Sequence, residues 1–263
     1  MTAQAATVFC RHWRPLPLLF GHLAAALLLA SFIWPTGHEL WRSLDQALFF
    51  QLNGSLADGG DWARFWAWAN VRASDTVAAL IILATLTFSG LGLQRRQLQP
   101  ALIGFVLLMV LMFLVRRSLH EWAVAQGISG PSASLVLQPA YMLSELAPDI
   151  PTKDRSGQSF PGDHAAVLLC WVGMLALNLR NKLLGLIPLG LALLLMLPRV
   201  VGGAHWASDN LVGGTFTALV TLSWAFCTPL LQRATDACWR LLRPLVALFG
   251  RLPLLGRLPF FNP

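Results

Sequence analysis

The chain has 263 residues, of which 56% are hydrophobic and 12% charged, and its mean hydropathy is +0.61. This composition excludes an ordinary soluble domain and a disordered chain, and predicts an all-α, polytopic membrane protein. The net charge of +7 reads as basic residues collected on a membrane face beside anionic lipid, in preference to a nucleic-acid surface.

Six spans are expected, each near the roughly 20 residues that cross about 30 Å of hydrocarbon. They are 16–35, 76–93, 99–115, 164–179, 183–198 and 210–230. The first follows Arg11 and Arg14 and ends at Trp34-Pro35. It is longer than a signal-peptide core and is expected to be retained. From Thr36 to Asp75, Trp41, Trp62, Trp66 and Trp68 alternate with polar groups, which predicts an outer-face amphipathic segment with a turn at Asp58-Gly59-Gly60. That segment would be a packing collar or a platform for a lipid headgroup. Arg116 and Arg117 close the third span. Ser118 to Pro161 is then the longest non-spanning stretch, and loops of that length usually bind something.

The loop ends in KDRSGQSFPGDH, Lys153 to His164. The next two apolar runs flank the turn Arg180-Asn181-Lys182, so the chain crosses and returns. His164 and the block RVVGGAHWASD, Arg199 to Asp209, therefore fall on one side of the membrane. Residues 231–263 read as a basic tail on the inner face, and the whole of 1–263 as a single domain. Cys10, Cys170, Cys227 and Cys238 form no C-x-x-C pair, so neither a disulfide nor a cysteine metal site is expected.

The positive-inside bias places both termini in the cytoplasm, with Arg11, Arg14, Arg95, Arg96, Arg180, Lys182 and the tail arginines. Of the acidic residues, only Asp236 shares that side. Arg116, Arg117, Lys153, Arg155 and Arg199 are exceptions, lying in outer loops beside the histidine motifs, and phosphate binding would explain them.

A histidine and an aspartate at i and i+4 share a helix face, so Asp209 can hold one imidazole nitrogen of His205 while the other points outward as a nucleophile. Arg199 offers fixed donors to phosphate oxygens, and Gly202 and Gly203 let the turn approach a ligand. His164 opens the fourth span, where free N–H groups and the helix dipole favour phosphate, and it can act as acid and then base. Asp163 is expected to cap or orient, since a carboxylate repels phosphate. A metal site of Asp163, His164, His205 and Asp209 is the chemical rival, and the clustered arginines disfavour it. A transporter would put charges within the spans, which are nearly uncharged. A headgroup-binding assembly protein would need arginines but not two oriented histidines.

These residues resemble the membrane branch of the type 2 phosphatidic acid phosphatase superfamily, whose pattern is Lys-x6-Arg-Pro, Pro-Ser-Gly-His and Ser-Arg-x5-His-x3-Asp. The third part fits Pro198 to Asp209 with proline for serine. The second fits Pro161 to His164 with the serine lost and the glycine shifted, and the first has no clean match. Within that superfamily, Pro151 to Asp154, Ser159 to His164 and Pro198 to Trp206 look like the lipid A 1-diphosphate synthases.

The resemblance implies a six-helix bundle of that type in the bacterial inner membrane, with its site on the periplasmic face. It implies transfer of a phosphoryl group from undecaprenyl diphosphate to the 1-phosphate of Kdo2-lipid A, with no metal or other cofactor. The same residues would equally serve hydrolysis of undecaprenyl diphosphate or another lipid phosphate. By this likeness His205 is the nucleophile, Asp209 its orienter, His164 the acid/base and Arg199 a phosphate ligand. Lys153 and Arg155 would replace the missing lysine motif, with Arg116 and Arg117 as weaker candidates. Ser159 and the backbone N–H groups near Gly162 would complete the phosphate site.

Overall fold

The computed structural model describes residues 6–88, 93–179 and 181–261. Residues 89–92 of the second expected span and Arg180 of the expected inner turn lie outside the described residues. The described chain is helical: α1 (Pro15–Ile33), α2 (Pro35–Gly54), α3 (Gly60–Ala69), α4 (Arg72–Thr87), α5 (Leu98–Ala125), the single turns α6 (Ala133–Val136) and α7 (Leu143–Leu146), α8 (Asp163–Asn178), α9 (Leu186–Val201), α10 (Thr215–Cys227) and α11 (Leu230–Phe249). A π-helical turn, Asp209–Gly214, leads into α10.

The protein is an all-α membrane protein. Among the described residues, four stretches are long and apolar enough to cross a bilayer: Pro15–Ile33, Arg95–Ala125, Lys182–Val201 and Asp209–Cys227. The second and fourth expected spans form helices of 16 residues, α4 and α8. Helix α5 runs ten residues past the expected end of the third span, so Arg116 and Arg117 lie on a helix and not in a loop. Helix α4 begins at Arg72, four residues before the expected second span, which carries Asp75 into its first turn.

Leucines such as Leu27, Leu83 and Leu194 are exposed for lipid contact, while one cluster of buried residues joins α4, α5, α8, α9 and α10. Lipid is as apolar as leucine, so helix association here rests on close packing and internal hydrogen bonds. Trp171 Nε1, for example, donates to Thr85 Oγ1 at 2.9 Å.

The two ends of the bundle differ. At one end the chain before α1 docks on α11, with Val8 and Phe9 N–H groups donating to Gln232 Oε1 and Arg14 N–H to Cys227 O. A cavity of about 760 Å³ opens there, lined by Arg11, Arg96, Trp239 and Arg243. The other end carries α2 and α3, joined by a turn in which Gly59 and Gly60 take φ of 63° and 64°, a region that favours glycine. In α2, Asp45, Phe49 and Asn53 are buried at four-residue spacing and face the bundle. The loop between α5 and α8 folds against this layer, burying Ser132, Ser134, Asp154 and Ser159. His164 and His205 sit at this end.

Candidate active site

His205 stands in the bend between α9 and the π-helical turn. Helix α9 stops because Gly203 adopts φ of 75°, and the reversed chain lets His205 N–H donate to Arg199 O at 3.2 Å. Asp209 Oδ2 accepts from Trp206 N at 2.9 Å and from His205 Nδ1 at 3.2 Å. The i, i+4 pair therefore meets, but His205 precedes the helix and does not lie on its face. One carboxylate both caps the turn and orients the ring. His205 is 5% exposed, and its Nε2 has no hydrogen-bond partner. Burial lowers its pKa, but the carboxylates of Asp163 and Asp209 prevail and raise it to about 9.

His164 occupies the first turn of α8, gripped on both sides. Nδ1 lies 2.7 Å from Asp163 Oδ1, and Nε2 lies 2.8 Å from Asp75 Oδ1. The same Asp163 oxygen is 3.6 Å from His205 Nε2. A single oxygen atom thus lies within reach of both rings, which come from separate helical segments.

Arg199, 4% exposed, reaches the cluster from the end of α9. Its Nη1 donates to Asn70 O at 3.0 Å and to Asn70 Oδ1 at 2.9 Å, while Nη2 is 3.3 Å from each Asp75 oxygen. Neither Asn70 nor Asp75 stands out in the sequence. Asp75 looks like one more outer-face acid at the edge of an apolar run, and Asn70 like a loop residue.

The remaining candidates divide. Lys153 is tied through its backbone to Asn70, the residue that holds Arg199. Arg155 is exposed and contacts Asp154 and Ser144. Ser159 is buried, with its backbone N–H and Oγ both on Gly130 O. Arg116 donates to Pro161 O at 3.2 Å and so braces the loop before α8, whereas Arg117 is exposed and pairs with Glu121.

Two of the backbone donors expected near Gly162 have partners within the protein. Gly162 N–H donates to Asp209 O at 2.9 Å, and the His164 N–H donates to Asp163 Oδ1 at 2.8 Å. Gly162 instead allows close approach, since a Cβ there would collide with Asn210 Oδ1 and stand 3.0 Å from Asp209 O. Gly202 and Gly203 likewise answer to protein neighbours, Asn70 and Ser134, where the sequence suggested a ligand. Among the described residues, no three His, Cys, Asp or Glu side chains are grouped to hold a metal ion.

Beside the cluster, a cavity of about 460 Å³ opens between α4, α8 and α9. Its walls are mostly apolar, including Val77, Ile82, Val167 and Leu194, and its polar lining is Ser74, Asp75, Asp163 and His164. The arrangement presents cationic and imidazole groups next to a channel suited to an apolar chain.

Comparison with known proteins gives a family match and a relative. The model of the PAP2 superfamily matches residues 123–233, a stretch containing His164, Arg199, His205 and Asp209 but not Asp75. The chain is 30% identical over 219 residues to the lipid A 1-diphosphate synthase of Escherichia coli (strain K12), covering 83% of this chain and 90% of that protein. No solved structure matches.

Proposed function

The chain belongs to the PAP2 superfamily, and from that premise we propose that it moves a phosphoryl group from undecaprenyl diphosphate to the 1-phosphate of Kdo2-lipid A. The product is lipid A 1-diphosphate, made at the periplasmic face of the bacterial inner membrane by way of a phosphohistidine. The observation that carries this reading is the Asp163 oxygen lying within reach of both imidazoles, because it brings two rings close enough for one to attack a phosphorus atom and the other to serve it. The apolar cavity beside His164 supports a lipid substrate, and the relative's name supports lipid A.

In this mechanism Asp209 holds the Nδ1–H of His205, so Nε2 carries the attacking lone pair. Nε2 attacks the terminal phosphorus of the donor, and the bond from that phosphorus to the bridging oxygen breaks. His164 stabilises or protonates that oxygen as undecaprenyl phosphate leaves. Arg199 neutralises charge on the transferring group, the role a metal would otherwise fill. An oxygen of the lipid A 1-phosphate then attacks the phosphohistidine, and His205 is restored. The buried ionisable residues Asp45, Asp154, Arg199, His205 and Asp209 gather at one end of the bundle, which disfavours a transport path.

The test is purified protein incubated with undecaprenyl diphosphate, with and without lipid A, followed by mass analysis of the lipids. Lipid A one phosphate heavier is the expected product. Free phosphate with unchanged lipid A would establish the hydrolytic reading in its place.

The pH profile follows from His205. Only the neutral ring attacks, and with a pKa of about 9 its neutral fraction grows roughly tenfold per pH unit below that value. The kcat/KM is therefore expected to rise with pH across the neutral range and level off near pH 9. Asp163→Asn removes one of the two carboxylates that raise the pKa, so the rising limb should move to lower pH. A limb that stays in place would mean Asp163 does not govern His205.

A further inference from the structure

Two groups suited to binding phosphate converge on one carboxylate. His164 Nε2 lies 2.8 Å from Asp75 Oδ1, and Arg199 Nη2 lies 3.3 Å from both Asp75 oxygens. The rest of the Arg199 grip is fixed, since Nη1 is taken by Asn70. A carboxylate presenting two oxygens to a guanidinium imitates one edge of a phosphate group. We infer that Asp75 is the resting occupant of the phosphate seat, and that an entering phosphate displaces it. The inference rests on the reading of Arg199 and His164 as phosphate-handling groups.

Two observations support displacement over a fixed structural role. The Asp75 side chain is 42% exposed and lines the cavity between α4, α8 and α9, so it has space to turn away. It stands in the first turn of α4, on the face that Ile82 and Leu86 continue, and unlike them it is not buried.

A phosphate bearing one or two negative charges cannot share the seat with a carboxylate, because like charges at contact repel strongly outside bulk water. Entry therefore moves Asp75 toward solvent and frees His164 Nε2 and Arg199 Nη2 for the ligand. Asp163 remains on Nδ1, so His164 keeps a carboxylate partner, as His205 keeps Asp209. Asp75 lowers the affinity of the resting protein for anions, the opposite of what a supporting residue would do.

The experiment measures orthovanadate binding to the full-length protein in detergent. Asp75→Asn and Asp75→Ala are expected to bind vanadate about tenfold more tightly than wild type, equivalent to about 1.4 kcal/mol. Unchanged or weaker binding in both variants would overturn the proposal, because removing a carboxylate that competes with the anion for the seat must tighten binding. Arg199→Ala separates this from failure of the underlying reading. If wild type binds vanadate and Arg199→Ala does not, the seat exists and the Asp75 variants decide the rest. If wild type does not bind, or Arg199→Ala binds equally well, the phosphate reading itself fails and the inference falls with it.

Discussion

Replacing His205 with Ala is expected to reduce phosphoryl transfer by about 10⁴-fold or more, the scale on which loss of a covalent nucleophile acts. The fold should survive, because the His205 side chain makes one hydrogen bond, to Asp209, and Asp209 keeps its bond to Trp206 N. The check is the rate of lipid A phosphorylation by the purified variant, alongside its thermal stability in detergent. Residual activity near wild type would remove His205 from the chemistry, however well it is placed.

His164→Ala is expected to act more mildly and unequally. When a diphosphate is split, the departing group is a phosphate monoester, a weak base that leaves with little help. The incoming lipid phosphate is already an anion. Both facts place the benefit of His164 in transfer at the lower end of the 10²–10⁴-fold range of acid–base catalysis, about 10²-fold. Water must lose a proton as it attacks, so any hydrolysis of the phosphohistidine should fall further than transfer. The variant would then show a higher ratio of phosphorylated lipid A to free phosphate, measured in the same reaction. An equal loss in both products would mean that His164 serves the first step alone or holds structure.

Much of the helical layout is legible in the sequence, since apolar runs bounded by arginine, tryptophan and proline mark α1, α5, α9 and α10 directly. The H-x3-D spacing and the crossing and return of the chain are also sufficient to place His164, His205 and Asp209 together. The manner of the His205–Asp209 contact was not legible. A spacing of four suggests a helix face, whereas the structure makes the contact across a bend, with glycine at positive φ on one side and a π-helical turn on the other. Hydropathy also cannot show where an amphipathic stretch becomes helix. It ends α5 too early at Arg116 and starts α4 too late, after Asp75.

The least legible feature is the use of charge. By sequence, the outer basic residues form one phosphate-binding group, but in the structure each has a separate task. Arg199 is buried among Asn70 and Asp75, Arg116 braces Pro161, and Arg117 and Arg155 face outward with acidic partners. The partners of Arg199 come from about 130 residues upstream, at a separation that no local pattern records. The same distance hides the carboxylate on His164 Nε2.

The most direct test of phosphoryl transfer through His205 is a rapid-quench experiment with undecaprenyl diphosphate labelled in its terminal phosphate. Wild-type protein should acquire an acid-labile, base-stable label that peptide mapping assigns to His205, and addition of lipid A should chase that label into the lipid. Label passing from donor to lipid A with no protein-bound species, under conditions where the His205→Ala protein also transfers it, would contradict the covalent route.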